Sequence, residues 1–212
     1  MPNAFLDLIY DLIFPPRCPY CDELTLRGVE ACEKCAPSLD VEPHLRELEN
    51  GVICCSAFRY EGVFKKAVIN YKYNEHRQYC KPFALTCSRL VERLLQSDEF
   101  TVCTSVPSYH DLSGERFDQV HSIASRSAKL CGLEYRRLLR QTKRKEFQHS
   151  LGEKERCQNV KGIYEASGED LIRGESVILF DDVVTTGSTL TACSDILLKA
   201  GAEKVVCVTL LW

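Results

Sequence analysis

The chain has 212 residues, of which 45% are hydrophobic and 27% are charged, and its formal net charge at pH 7 is -3. This composition is typical of a globular protein, and the length suits one ordinary domain plus a small module. This net charge shows that the chain as a whole is not a polycation, so any contact with nucleic acid would need a local basic patch.

The N-terminal segment predicts a short amphipathic helix over residues 3–14. Its apolar positions follow helical spacing: Phe5, Leu6, Leu8, Ile9, Leu12 and Ile13. We interpret this face as packing on the main domain; the alternative, a membrane-surface or partner-docking helix, would usually carry Lys and Arg. The segment does not have the shape of a secretory signal, because it has no basic start and is interrupted by Asp7 and Asp11. No apolar run of the chain is long enough to cross a bilayer. We therefore expect a cytoplasmic protein.

Two Cys-x2-Cys pairs follow, ten residues apart, and supply four cysteines: Cys18, Cys21, Cys32 and Cys35. Each pair lets one turn supply two thiolates, and four thiolates complete a tetrahedral zinc site. We predict a structural zinc ion, with a redox pair or buried thiols as the alternative. A catalytic zinc is not expected, because a four-thiolate site has no open position. The other nine cysteines are interpreted as core residues.

The rest of the chain predicts alternating strands and helices. Strands are expected at 53–60 and 100–106, and helices at 62–72, 81–96 and about 118–131. Residues 134–162 are polar and charged, which favours a long loop or flap with some extended structure. A strand at 177–180, a helix at 188–200 and a strand at 204–211 predict a βαβ unit. We expect an α/β fold, with an N-terminal module at 1–45 and a parallel-sheet domain at 46–212.

The most informative segment is residues 177–190, Val-Ile-Leu-Phe-Asp-Asp-Val-Val-Thr-Thr-Gly-Ser-Thr-Leu. Its four apolar residues are typical of a strand covered on both faces. Asp181 and Asp182 then fall at the carboxyl end of that strand, which is where ligands bind in open α/β sheets. Two adjacent carboxylates are costly there unless they accept hydrogen bonds from hydroxyls or hold a cation.

The five residues that follow the acidic pair lead into the predicted helix: Thr185, Thr186, Gly187, Ser188 and Thr189. Their hydroxyls and backbone N–H groups can surround a phosphate at a helix N-terminus, and glycine allows close approach. Carboxylates followed by a phosphate cradle match a ribose 5-phosphate. An accidental acidic pair before a Thr-rich turn is the alternative. A Walker A loop is excluded, because Gly187 is not followed by Lys and then Ser or Thr.

This order closely resembles the signature of type I phosphoribosyltransferases, which binds 5-phosphoribosyl 1-pyrophosphate (PRPP). The resemblance implies that Asp181 and Asp182 hold the ribose 2′- and 3′-hydroxyls. It also implies that residues 185–189 hold the 5′-phosphate, and that Mg²⁺ accompanies the pyrophosphate.

A four-cysteine module ahead of such a loop is similar to the ComF (ComFC) family, phosphoribosyltransferase-like proteins associated with DNA uptake in competent bacteria. Several short segments resemble that family in order and spacing: Tyr71-Lys72-Tyr73, Val106-Pro107, Gln148-His149-Ser150-Leu151, Arg156, Asn159, Val160 and Gly162. The resemblance implies PRPP as ligand, with single-stranded DNA and a competence helicase or ATPase as partners.

The chain departs from that family at residues 115–119, Glu-Arg-Phe-Asp-Gln, where the family has Arg-Gly-Phe-Asn-Gln after a basic run. The second set of cysteine pairs found in many members is also absent, so one metal ion is expected. Two other functions stay open: a metabolic phosphoribosyltransferase of nucleotide salvage, and a PRPP-binding scaffold without turnover. No catalytic residue is assigned.

Basic side chains outside the loop are candidates for phosphate or DNA contacts: Lys72, Arg144, Lys145 and Arg156. Snorkelling is the alternative for Lys72. Six cations fall within ten residues, either as an anion site or as a solvated face: Arg136, Arg137, Arg140, Lys143, Arg144 and Lys145. His110 and His149 are interpreted as ordinary surface histidines.

Overall fold

A computed structural model of the chain describes residue 12 and residues 15–26, 29–39, 42–73, 76–108, 118–142 and 162–212. The strands and helices are β1 (His44–Glu47), β2 (Ile53–Phe58), α1 (Gly62–Tyr73), α2 (Cys80–Ser97), β3 (Val102–Ser105), α3 (Gln119–Leu130), β4 (Glu134–Tyr135), β5 (Leu139–Gln141), β6 (Tyr164–Ala166), β7 (Ser176–Val183), α4 (Ser188–Lys199) and β8 (Lys204–Leu211). Short 3-10 helices lie at Ala36–Leu39, Arg77–Tyr79 and Glu169–Leu171. The elements predicted between residues 53 and 131 and after residue 176 are confirmed. The predicted helix at 3–14 lies outside the described residues, apart from Leu12.

The main sheet has the strand order β1-β2-β8-β7-β3-β4, in which β1 is antiparallel to β2 and the other pairs are parallel. From β7 the chain passes through α4 to β8 on one side. From β3 it passes through α3 to β4 on the other side. The winding direction therefore reverses between β7 and β3, and in open α/β sheets a ligand site is expected beside the carboxyl ends at such a reversal.

Alternate residues of the central strands face two separate cores. On β7, Ile178 and Phe180 face a core that α1, α2, α3 and the N-terminal module cover, whereas Val177 and Leu179 face a core that α4 and the β5–β6 hairpin cover. The strand is apolar on both faces for this reason, as the sequence predicted. No helix among the described residues is long and apolar enough to span a membrane.

The N-terminal module packs on the sheet domain through an aromatic contact. The Tyr20 ring meets Phe58, Phe64 and Phe83 edge-on, with ring centroids 6.3, 5.5 and 6.4 Å away. Such edge-to-face contacts add specific geometry to the burial of apolar area. The module is therefore attached to the β2, α1 and α2 side of the sheet.

The edge strand β1 was not predicted from the sequence. It has four residues with alternating exposure, and its register with β2 places His44 opposite Ser56 and Glu47 opposite Ile53. Leu45, the last residue of the predicted N-terminal module, lies inside this strand. The sheet therefore begins at His44.

Candidate functional site

The four cysteines of the N-terminal module converge into a zinc-binding cluster. Their sulfur atoms all lie within 4.8 Å of one another, and the Sγ atoms of Cys21 and Cys32 are 3.5 Å apart. A tetrahedral ion with Zn–S bonds of about 2.3 Å needs sulfurs roughly 3.8 Å apart, so this donor set fits zinc. The backbone N–H of Cys32 donates to Cys18 Sγ at 3.5 Å, which would stabilise that sulfur as a thiolate.

The remaining cysteines behave as core residues where the structure describes them. Seven of these are buried and Cys131 is half-buried. Burial raises the pKa of the Cys103 thiol to about 12, and it also raises the pKa of Cys54 and Cys207. Because such thiols stay protonated at neutral pH, the prediction of core packing is confirmed for them.

The acidic pair lies at the end of β7, beside the reversal of the sheet. The Asp182 residue is only 7% exposed, and Asp181 is half-buried. The backbone N–H of Asp182 donates to Asp181 Oδ1 at 2.9 Å, which fixes the first carboxylate against the strand. The next strand is aligned by a hydrogen bond of 2.9 Å from the N–H of Val106 to the carbonyl of Phe180.

The buried carboxylate of Asp182 has a cationic partner. Lys72 Nζ, from the last turn of α1, lies 2.7 Å from Asp182 Oδ2. Burial alone would lower the pKa of the Lys72 ammonium, but the carboxylates of Asp182 and Asp181 outweigh it and raise the pKa above its usual value. Lys72 is therefore a charged member of this site.

The loop after the acidic pair forms the start of α4. Gly187 is the residue before the helix and has a φ of +86°, a left-handed conformation that glycine adopts without strain. The hydroxyls of Thr186 and Ser188 lie 2.9 Å apart, and the N–H of Thr191 donates to the carbonyl of Gly187 at 2.8 Å. Hydroxyls and a helix N-terminus are thus brought together where an anion is favoured.

The β1 strand and the turn after it contact this loop, which the sequence did not indicate. Arg46 donates to the carbonyls of Thr185 and Thr186, at 2.7 and 3.2 Å. A Cβ atom on Gly187 would come within 2.9 Å of Leu48 Cδ2. No local pattern distinguishes Arg46 from any other surface arginine, so only the pairing of β1 with the sheet could have revealed these contacts.

A cleft of about 230 Å³ opens at the carboxyl ends of β3 and β4, on the β3 side of the acidic pair. It is lined by Ser105, Pro107, Ser108, Asp118, Tyr135, Arg137, Leu139, Arg140, Gln141 and Ser167. The hydroxyls of Ser105 and Tyr135 are 2.8 Å apart inside it. Burial raises the pKa of the Tyr135 phenol, although the bond to Ser105 partly offsets this. Tyr135 is therefore a neutral hydrogen-bonding group at neutral pH.

The predicted basic cluster is only partly described. Arg136 Nη2 lies 2.8 Å from a carboxylate oxygen of Glu175, and Arg140 pairs with Glu165 at 2.9 Å. These two cations are therefore compensated by carboxylates. Arg137 is described as well and lines the cleft. The other candidates of this region lie outside the described residues: His110, Lys143, Arg144, Lys145, the stretch 148–151, His149, Arg156, Asn159 and Val160.

Two family models match the sequence. A phosphoribosyl transferase domain matches residues 121–211, and a double zinc ribbon domain matches residues 9–45. The chain therefore combines a phosphoribosyltransferase-type α/β domain with an N-terminal zinc-binding cluster. Residues 9–45 contain four cysteines, enough for one zinc ion. A comparison with curated proteins found no match.

Several solved structures resemble the chain at low identity. The glutamine PRPP amidotransferase of B. subtilis is 23% identical, with a TM-score of 0.41, over 62% of this chain and 27% of that protein, so the chain spans about a quarter of its length. An adenine phosphoribosyltransferase is 12% identical, with a TM-score of 0.44, over 82% of this chain and 88% of its own. The orotate phosphoribosyltransferase of Mycobacterium tuberculosis is 17% identical, with a TM-score of 0.36, over 83% and 79%.

Proposed function

We propose that this chain binds PRPP at the end of β7 and acts as a phosphoribosyltransferase-like protein. The observation that carries the proposal is the position of Asp181 and Asp182 at the reversal of the sheet, directly before a loop that opens α4. Carboxylates accept hydrogen bonds from a ribose diol, and a helix N-terminus with hydroxyls holds a phosphate. Both features lie on one short segment, in the order that a ribose 5-phosphate requires.

The arrangement also orients the ligand. With the diol on the acidic pair and the 5′-phosphate on residues 185–189, C1 of the ribose and its pyrophosphate point away from α4, toward β3 and the cleft beyond it. The pyrophosphate would carry Mg²⁺, and Arg137 in the cleft lining supplies a further cation. Positioning and charge neutralisation are the contributions that such a site can make.

For turnover, a nitrogen of the acceptor would form a bond to C1 while the C1–O bond to pyrophosphate breaks. The electron pair would leave with pyrophosphate, and the acceptor would lose its proton to solvent. No covalent nucleophile of the protein is needed. Release of pyrophosphate in the presence of bases or amines would support transfer; a thorough negative screen would favour a PRPP-binding scaffold.

Calorimetry with PRPP and Mg²⁺ tests the site. Wild type should bind PRPP, and Asp182→Asn should bind it at least about tenfold more weakly, because hydrogen bonds to a charged acceptor are worth roughly 1.5–3 kcal/mol. Asp170→Asn serves as the control, because this exposed carboxylate lies in the 3-10 helix Glu169–Leu171, before the start of β7, and should leave PRPP binding unchanged. Absence of binding by wild type would overturn the assignment.

The finer role, in DNA uptake by a competent bacterium, is also a proposal. The zinc-binding cluster ahead of the loop supports it, since this is the combination that the ComF family carries. The pairing of Lys72 with Asp182 supports a ribose-site function for Lys72 instead of a DNA contact. A deletion strain that imports and integrates DNA normally would contradict the role in uptake, whatever the outcome with PRPP.

A further inference from the structure

The proposed phosphate loop, residues 185–189, accepts hydrogen bonds from a residue of a distant strand. Arg46, on the edge strand β1, donates from Nη1 to the carbonyl of Thr185 at 2.7 Å and from Nη2 to the carbonyl of Thr186 at 3.2 Å. The two nitrogens of one guanidinium thus engage two consecutive peptide groups. Hydrogen bonds from a charged donor are shorter and stronger than neutral ones, so this contact constrains both peptides.

The direction of these bonds decides which way the loop presents its donors. In a trans peptide the carbonyl of one residue and the N–H of the next point in opposite directions. With the carbonyls of Thr185 and Thr186 turned toward Arg46, the N–H groups of Thr186 and Gly187 are turned away from β1. That is the orientation in which they can donate to an anion bound at the start of α4.

Further contacts make β1 and its turn a firm support for the arginine. Asn50 Nδ2 donates to Asp195 Oδ1 at 2.8 Å and to Ser194 Oγ at 2.9 Å, both on α4. At the other end of β1, the His44 ring stacks on Trp212 with centroids 3.4 Å apart. The strand that carries Arg46 is therefore fixed against Trp212 at one end and, through the turn after it, against α4 at the other.

We propose that Arg46 is a positioning residue for the phosphate loop: it orients the peptide N–H groups of Thr186 and Gly187 toward the 5′-phosphate without touching the ligand. This inference rests on the proposed function for its ligand. Orientation requires the guanidinium specifically, because a lysine carries the same charge but lacks the planar fork that reaches two carbonyls at once.

Calorimetry with ribose 5-phosphate, on wild type and three variants, tests the proposal. Arg46→Met should weaken binding at least about tenfold, and Arg46→Lys should recover only part of that loss. The control is Arg59→Met, because Arg59 stacks on Trp212 at the same edge of the sheet, with its guanidinium carbon 4.9 Å from the ring centroid. This variant should bind within about twofold of wild type. Binding within twofold by Arg46→Met, or full recovery by Arg46→Lys, would overturn the proposal.

A second measurement separates this inference from the proposed function. In the ligand-free protein, the amide resonances of Thr186 and Gly187 should shift, and their hydrogen exchange should accelerate, in Arg46→Met and to a lesser extent in Arg46→Lys. Unchanged amides in both variants would overturn the positioning role. If wild type bound neither PRPP nor ribose 5-phosphate while the amides responded as expected, the proposed function would fail and the orientation of the loop by Arg46 would stand.

Discussion

Lys72 Nζ lies 2.7 Å from Asp182 Oδ2 and so joins the last turn of α1 to the end of β7. The Asp182 side chain is only 9% exposed, and a buried carboxylate without a partner is costly. The cation also lies at the carboxyl end of a helix, where the helix dipole favours it. The same contact therefore stabilises the fold and shapes the proposed ribose site.

A double-mutant cycle on this pair should give strong coupling. Lys72→Met is expected to lower the free energy of unfolding by about 2–4 kcal/mol, because it leaves the Asp182 carboxylate buried and unpaired. Adding Asp182→Asn should restore part of that loss, with a coupling energy of about 1–3 kcal/mol. Urea denaturation measures each variant. Arg93→Met, which removes an exposed pair with Glu42, should change stability little. Additive effects of the Lys72 and Asp182 substitutions would contradict a direct interaction.

The same pair predicts a loss of stability in alkali. The pKa of Lys72 is raised in the folded protein, so its contribution is fully present below the pKa of an unfolded lysine, about 10.4, and disappears as the pH rises through the folded value. The stability difference between wild type and Lys72→Met should therefore be constant from about pH 7 to 9 and shrink above about pH 10.5. Chemical denaturation measures the free energy of unfolding of both proteins at each pH, and groups that titrate equally in the two cancel in the difference. A difference that shrinks on acidification toward neutral pH instead would contradict the assignment.

The part of the site that is local in sequence was predictable. The run from Val177 to Thr189 encodes a buried strand, an acidic end and a helix start within one segment, and each property depends on neighbours in the chain. The zinc cluster was predictable for a similar reason, since each Cys-x2-Cys pair is a single turn.

The contacts between distant segments were not predictable. β1 is four residues long and half-exposed, so it lacks the apolar run that identifies a strand, and β5 pairs with β6 across a long stretch of polar chain. The sequence predicts Lys72 as a phosphate or DNA contact, because nothing near it in sequence indicates its pairing with Asp182. Arg46 has no distinguishing neighbour at all. Such pairings depend on sheet topology, which short-range patterns do not encode.

A side chain at Gly187 should destabilise the protein, for two separable reasons. Alanine there would adopt a φ of +86°, and its Cβ would lie 2.9 Å from Leu48 Cδ2. The left-handed conformation costs about 1–2 kcal/mol, and the contact adds to it. Gly174→Ala is the matched control, because its φ is +76° but nothing lies within 4 Å of the added carbon. We expect thermal denaturation to show a larger loss for Gly187→Ala than for Gly174→Ala.

A second substitution isolates the steric part of that effect. Leu48→Ala removes the atom that the new Cβ meets. The loss of stability caused by Gly187→Ala, measured between Leu48→Ala and the double variant, should therefore fall to the loss that Gly174→Ala causes in wild type. PRPP affinity should also fall in Gly187→Ala but not in Gly174→Ala. Equal losses of stability for the two single variants would indicate that Leu48 moves aside freely.

Metal analysis should find one zinc ion per chain. The four sulfurs fit a single tetrahedral ion, and residues 9–45 contain no further cysteine, although the matching family model is a double zinc ribbon. Cys35→Ser removes one thiolate and should abolish stoichiometric zinc. Cys131→Ser is the control: this half-buried thiol lies outside the cluster, donates to the carbonyl of Ser88 at 3.5 Å, and should leave the zinc content unchanged.

Loss of zinc should destabilise more than the module itself. Glu30 pairs with Arg89 at 2.7 Å and accepts a hydrogen bond from Thr86, so the module is bound to α2 by polar contacts as well as by the Tyr20 ring. Structural zinc contributes its binding free energy to folding, so a chelator should lower the melting temperature of wild type and of Cys131→Ser alike. It should not affect Cys35→Ser, which has already lost the metal. Two zinc ions per chain, or a melting temperature that the chelator leaves unchanged in wild type, would contradict a single structural site that supports the sheet domain.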